Sequence, residues 1–116
     1  MTQLNIVFVD DEEELCEMYE DLFDTPNRHV KAFSDIETAK NYIESNPIHL
    51  AFIDYRMPGM SGPQFRQLLD ADLPCIVITG EFIEMPDTGF VDLLSKPVDE
   101  DKFNTLVDKH ARKLNP

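Results

Sequence analysis

Three short apolar runs, LNIVFV (4–9), HLAFI (49–53) and CIVIT (75–79), constrain this chain more than any other feature. They are rich in β-branched residues and almost unbroken by polar ones. That pattern belongs to strands buried on both faces, as in a parallel sheet covered by helices. Parallel neighbours cannot be joined by a tight hairpin, so each connection needs a crossover, usually a helix. Two further runs, HVKAF (29–33) and FVDLLS (90–95), are more interrupted by polar residues and read as edge strands.

The connecting segments carry helical periodicity. Leu15, Met18, Tyr19, Leu22 and Phe23 form one apolar stripe at three- and four-residue spacing. Ser34 with Glu37 reads as a capping box ahead of Ile36, Ala39 and Ile43, and Ser61 with Gln64 repeats it before Phe65, Leu68 and Leu69. Phe103, Leu106, Val107, His110 and Leu114 make the last stripe. The alternation predicts a flavodoxin-like α/β fold: a doubly wound, five-stranded parallel sheet with helices on both faces. Right-handed crossovers give the strand order 2-1-3-4-5. One crossover is out of pattern. Between Thr79 and Phe90 there is little room for a helix, and Pro86 and Gly89 interrupt what room there is. Residues 81–89 are expected to form at most one turn, leaving the fourth helix short or absent.

Length and composition set the frame. A chain of 116 residues is one domain's worth, here 1–116, and its 42% hydrophobic and 28% charged content is that of a soluble globular protein. No apolar run approaches the length of a membrane span, and no basic region leads into a hydrophobic segment, so no membrane insertion is expected and the cytosol is the expected address. Cys16 and Cys75 sit inside hydrophobic patterns and read as two buried, reduced thiols. The formal charge is −13, and residues 1–24 hold nine Asp or Glu with no Lys or Arg. Such a surface repels nucleic acid phosphates, which argues against direct DNA binding and for a cation or a basic partner.

In a sheet of this type ligands bind beyond the carboxyl ends of the strands. The first strand ends in Asp10-Asp11-Glu12, the third in Asp54, the fourth in Thr79 and the fifth in Ser95-Lys96-Pro97. These strands are neighbours in the expected order, so the groups converge on one pocket. Crowded carboxylates need a shared cation, and hard oxygen donors suit Mg²⁺ (or Mn²⁺). An ammonium and a hydroxyl beside them are the donors one would place around a transferring phosphoryl. A carboxylate can itself accept phosphate. Asp54 stands alone at the middle of the site, whereas Asp10 and Asp11 are paired and better placed to hold metal.

The segments VFVDDEEE (7–14), FIDYRMPGMSG (52–62), VITG (77–80) and LLSKP (93–97) resemble the response-regulator receiver domains of two-component signalling, over the whole chain. The D-x-x-M-P-x-M-x-G run is the most specific of them. The resemblance implies that Asp54 is the phosphoacceptor and that Asp10 and Asp11 hold Mg²⁺ together with the backbone carbonyl of Arg56. It implies that Lys96 pairs with the acceptor and then with phosphate, that Thr79 is the switch, and that Lys96-Pro97 is a cis peptide. The donor would be a sensor histidine kinase or a histidine phosphotransfer protein, and the output a downstream protein. The resemblance puts Arg56 and Glu81 at variable positions flanking the site, where their opposite charges are expected to pair across the entrance and partly shield the phosphoryl group from water. The aromatic residue that many receivers carry three positions before the lysine is Leu93 here. That change and the short crossover leave one alternative, a degenerate receiver acting as a phosphorylation-independent binding module. A phosphohydrolase of the haloacid-dehalogenase type would need D-x-D-x-T after the first strand, and a flavin carrier would need a phosphate loop where DDEEE stands.

Overall fold

The computed structural model describes residues 3–87 and 89–111, the last of them by its backbone only. Five strands, β1 (Leu4–Val9), β2 (Arg28–Phe33), β3 (Leu50–Asp54), β4 (Cys75–Thr79) and β5 (Asp92–Ser95), form one parallel sheet in the order 2-1-3-4-5. Four helices connect and cover them: α1 (Glu13–Phe23), α2 (Ile36–Ser45), α3 (Gly62–Arg66) and α4 (Glu100–Ala111). The expected topology is the observed one.

Strand alternation divides the core into two layers. Ile6 and Phe8 of β1, Leu50 and Phe52 of β3, and Ile76 and Ile78 of β4 meet Tyr19 and Phe23 of α1 and Phe103 and Val107 of α4. On the opposite face Val7, Val9, Ala51, Ile53 and Cys75 meet Ala39, Phe65, Leu69 and Leu73. All five residues of β3 and all five of β4 are buried, as their unbroken apolar sequences require. The first layer is largely aromatic. Phe8 stacks on Tyr19 at 4.2 Å and on Phe52 at 4.7 Å, and Phe23 stacks on Phe103 at 4.2 Å. Cys16 and Cys75 are both buried and free.

Several local expectations are corrected. Leu22 is 53% exposed, and the inner stripe of α1 is Cys16, Tyr19 and Phe23. Asp35, not Ser34, caps α2: its carboxylate accepts from the Thr38 amide at 2.8 Å, a stronger acceptor than a serine hydroxyl. The Ser61–Gln64 capping box forms with both reciprocal bonds, but α3 ends at Arg66 and leaves Leu68 exposed. Leu114 lies outside the described residues.

No described residue between β4 and β5 is helical. The short crossover is held at its far end by two devices. Phe90 packs against the core layer of α2 and α3. The buried Arg66 guanidinium donates to the Gly89 carbonyl at 3.2 Å and to the carbonyls of Asp70, Ala71 and Leu73 at 3.1–3.2 Å. Gly89 has φ of +84°, a conformation that favours glycine.

Candidate functional site

The carboxyl ends of β1, β3, β4 and β5 meet at a cleft of about 370 Å³ lined by Asp11, Glu12, Asp54, Arg56, Thr79, Gly80, Glu81 and Lys96. Asp10 is fully buried beneath it, and Asp54 is 5% exposed. Carboxylate oxygens of Asp10, Asp11 and Asp54 lie within 4.8 Å of one another. Lys96 Nζ bridges two of these acids, 3.0 Å from Asp10 Oδ2 and 3.1 Å from Asp54 Oδ2, with Glu12 at 3.5 Å. The backbone holds the lysine in register, since its amide donates to the Thr79 carbonyl at 2.8 Å. The Lys96–Pro97 peptide is cis.

Close packing of the backbone sets the height of Asp54. The Gly62 amide donates to the Tyr55 carbonyl at 2.8 Å, and a Cβ on Gly62 would lie 2.3 Å from the Asp54 carbonyl oxygen. Only glycine lets α3 approach the acid this closely. Thr79 is 2% exposed, and its hydroxyl accepts from the Glu81 amide at 3.0 Å. Arg56 and Glu81 pair as the sequence suggests, with Nε 2.6 and 2.9 Å from the two carboxylate oxygens across the mouth of the cleft. Met57 and Met60 pack on the core. The histidines lie elsewhere: His29 beside Asp24, His49 accepting from the Asn5 amide, and His110 beside Asp92.

One site contact escapes the sequence pattern. Tyr19, part of an apolar stripe, donates its hydroxyl to Asp10 Oδ2 at 3.0 Å. Nothing in spacing separates such a tyrosine from a plain core aromatic. Its signature is that a buried tyrosine hydroxyl needs a partner, and the nearest strand end is acidic.

Electrostatics follow the geometry. Burial pushes the Asp54 pKa up to about 6, with the Asp10 charge adding to it and Lys96 opposing. Burial pulls Lys96 down, but its bonds to Asp10 and Asp54 outweigh this and raise it. Burial, with the Asp10 charge, also raises the Tyr19 hydroxyl, which stays a donor at neutral pH. Between about pH 4 and 6 the folded state keeps a proton on Asp54 that the unfolded state has lost, so this group's contribution to stability falls as pH rises through that window. In divalent-free buffer Asp54→Asn is therefore expected to melt above wild type near pH 7.5, with the gap closing as pH falls to about 5. Paired calorimetric scans across that range check it, and a gap independent of pH contradicts it.

The donor set suits a small hard cation: carboxylate oxygens close together, with Asp11 and Asp54 on the cleft wall. No helix among the described residues is long and apolar enough to cross a membrane.

Residues 6–108 match the response regulator receiver domain family, and the chain belongs to that family. Receiver domains are signalling domains of two-component systems, not classical enzymes; histidine kinases phosphorylate them, and they bind Mg²⁺ in an acidic pocket. The cyclic di-GMP phosphodiesterase response regulator RpfG of Xanthomonas campestris pv. campestris (strain 8004) is 35% identical over 107 residues, covering 82% of this chain and 28% of that protein. The signal receiver domain of an HD domain-containing protein from Pseudomonas fluorescens Pf-5 has the same fold, with a TM-score of 0.86, 18% identity and 97% of each chain covered. Response regulator TrrA of Thermotoga maritima, solved in complex with Mg²⁺-BeF, superposes with a TM-score of 0.81 at 21% identity, covering 92% of this chain and 98% of that one. The chain spans 28–60% of the length of the curated relatives it matches.

Proposed function

We propose that residues 1–116 act as a phosphorelay receiver that takes a phosphoryl group onto Asp54 and changes conformation to control a partner. The observation that carries this reading is the Asp54 carboxylate in the cleft, sharing the Lys96 ammonium with buried Asp10. A carboxylate oxygen of Asp54 attacks phosphorus of a phosphohistidine on a sensor kinase or phosphotransfer protein. The P–N bond breaks, the imidazole nitrogen keeps the electron pair, and an acyl phosphate forms. Lys96 then shifts its bond from the carboxylate to a phosphoryl oxygen. Asp10 and Asp11, with Asp54 and the Arg56 carbonyl, would hold Mg²⁺ or Mn²⁺. That cation would supply neutralisation of the charge on the phosphoryl oxygens.

Thr79 donates to the phosphoryl group in the switched state, which reorganises its contact with the Glu81 amide. Residues 81–91 would carry that change outward in place of a helix. The partner is a protein, and neither DNA nor a membrane is a direct target. The lack of a helix among the described residues between β4 and β5, together with Leu93, favours one other reading, a module that binds its partner without phosphorylation.

Acetyl phosphate with Mg²⁺ separates the two. Intact mass of wild type is expected to show one labile phosphoryl group, absent in Asp54→Asn. An unlabelled wild type would favour the module. The Arg56–Glu81 pair is exposed and contributes little to stability, but it stands where water reaches Asp54. Arg56→Ala is expected to shorten the phosphoryl lifetime without moving the melting temperature; unchanged decay removes the shielding role.

A further inference from the structure

Asp10 is a fully buried carboxylate with three donors, and they are not equivalent. Oδ1 accepts from the Glu12 amide at 3.0 Å, while Oδ2 takes both Lys96 Nζ at 3.0 Å and the Tyr19 hydroxyl at 3.0 Å. Glu12 belongs to the short turn that also carries Asp11. Lys96 is shared with Asp54 and, in the function proposed above, moves to a phosphoryl oxygen. Tyr19 alone is anchored in the core. Its ring is 1% exposed and stacks on Phe8 at 4.2 Å with the planes 19° apart. When the lysine turns away, the tyrosine hydroxyl stays.

We propose that Tyr19 is a positioning residue for the cation site, acting through Asp10. Its hydroxyl fixes the plane of the Asp10 carboxylate and keeps Oδ2 hydrogen-bonded whatever Lys96 does. Without it, Asp10 keeps only the Glu12 amide on Oδ1, and once Lys96 moves nothing holds Oδ2 in place. The carboxylate can then turn about its last torsion towards the lysine, an ion pair that competes with a divalent cation. Partners of metal ligands of this kind commonly govern affinity by an order of magnitude or more. The inference rests on the site being a divalent-cation site, as the receiver reading requires.

The test is Mn²⁺ titration followed by the electron paramagnetic resonance of the free ion, on wild type, Tyr19→Phe and Phe23→Leu. Phe23→Leu thins the same aromatic layer, 6.2 Å from the Tyr19 ring, without touching the hydroxyl. Tyr19→Phe is expected to weaken Mn²⁺ binding about 10-fold or more. Phe23→Leu is expected to lower the melting temperature and leave Mn²⁺ affinity unchanged. The half-saturating Mg²⁺ for labelling by acetyl phosphate should rise in Tyr19→Phe by a larger factor than the saturated rate falls. Unchanged Mn²⁺ affinity in Tyr19→Phe, or equal weakening in Phe23→Leu, overturns the proposal while leaving the receiver reading intact. Absence of Mn²⁺ binding by wild type overturns both.

Discussion

Lys96→Met is expected to slow phosphoryl incorporation at Asp54 by about 100-fold or more, the usual cost of removing a donor aimed at developing charge. Methionine keeps most of the stem and removes the ammonium. Asp10 and Asp54, 0% and 5% exposed, then face each other with no shared cation from the protein. Lys96 is what opposes the rise of the Asp54 pKa, so without it the cation-free carboxyl is pushed further up and gives up its proton less readily to the cation and the donor. Raising the pH should restore the protonation part of the loss but not the charge-stabilisation part. Labelling rates by quenched intact mass near pH 7 and pH 8.5 separate the two. A near-wild-type rate at both would contradict the role given to the lysine.

The second large effect lies away from the cleft. Arg66→Met is expected to destabilise the fold by about 3 kcal/mol or more, because four carbonyls lose a charged donor in a buried place. For a domain of this size that lowers the melting temperature by roughly 10 °C. Arg66→Lys should recover little, since one compact ammonium cannot reach carbonyls spread over residues 70–73 and Gly89 as the planar fork does. Urea unfolding of the three proteins measures this. A loss under about 1 kcal/mol would show that the clasp is incidental. The physical point is local: with no helix among the described residues between β4 and β5, one guanidinium and Phe90 hold the crossover against the second core layer.

How much of this was readable from residues depends on which force dominates each place. β1 and β4 match their runs residue for residue, because the last four residues of β1 and all five of β4 are buried and draw mainly on apolar side chains. β3 is shifted one residue from its apolar stretch, leaving out His49 and taking in Asp54, which stays in the ladder opposite Ile78. Strand pairing is a backbone matter, and hydrophobicity cannot register it. β5 begins at Asp92 rather than Phe90, because Phe90 turns to pack on the core instead. The convergence of Asp10, Asp11, Asp54, Thr79 and Lys96 follows from topology alone and is found in the structure.

What stayed hidden are side chains whose chemistry runs against their type. Arg66 is a charged residue that is buried, and Tyr19 is a core aromatic whose one polar atom reaches the site. Arg66 reaches backbone carbonyls of the loop that follows α3 and of Gly89, and Tyr19 reaches an acid at the end of the preceding strand. A pattern of spacing carries no trace of either.

The central claim is that Asp54 carries the phosphoryl group, and peptide mapping tests it most directly. After labelling with acetyl phosphate and Mg²⁺, borohydride reduction converts an aspartyl phosphate to homoserine, which survives digestion and sequencing by mass. Homoserine at position 54 and at no other acid is the predicted result. Homoserine at Asp10 or Asp11 with residue 54 unmodified would contradict the account.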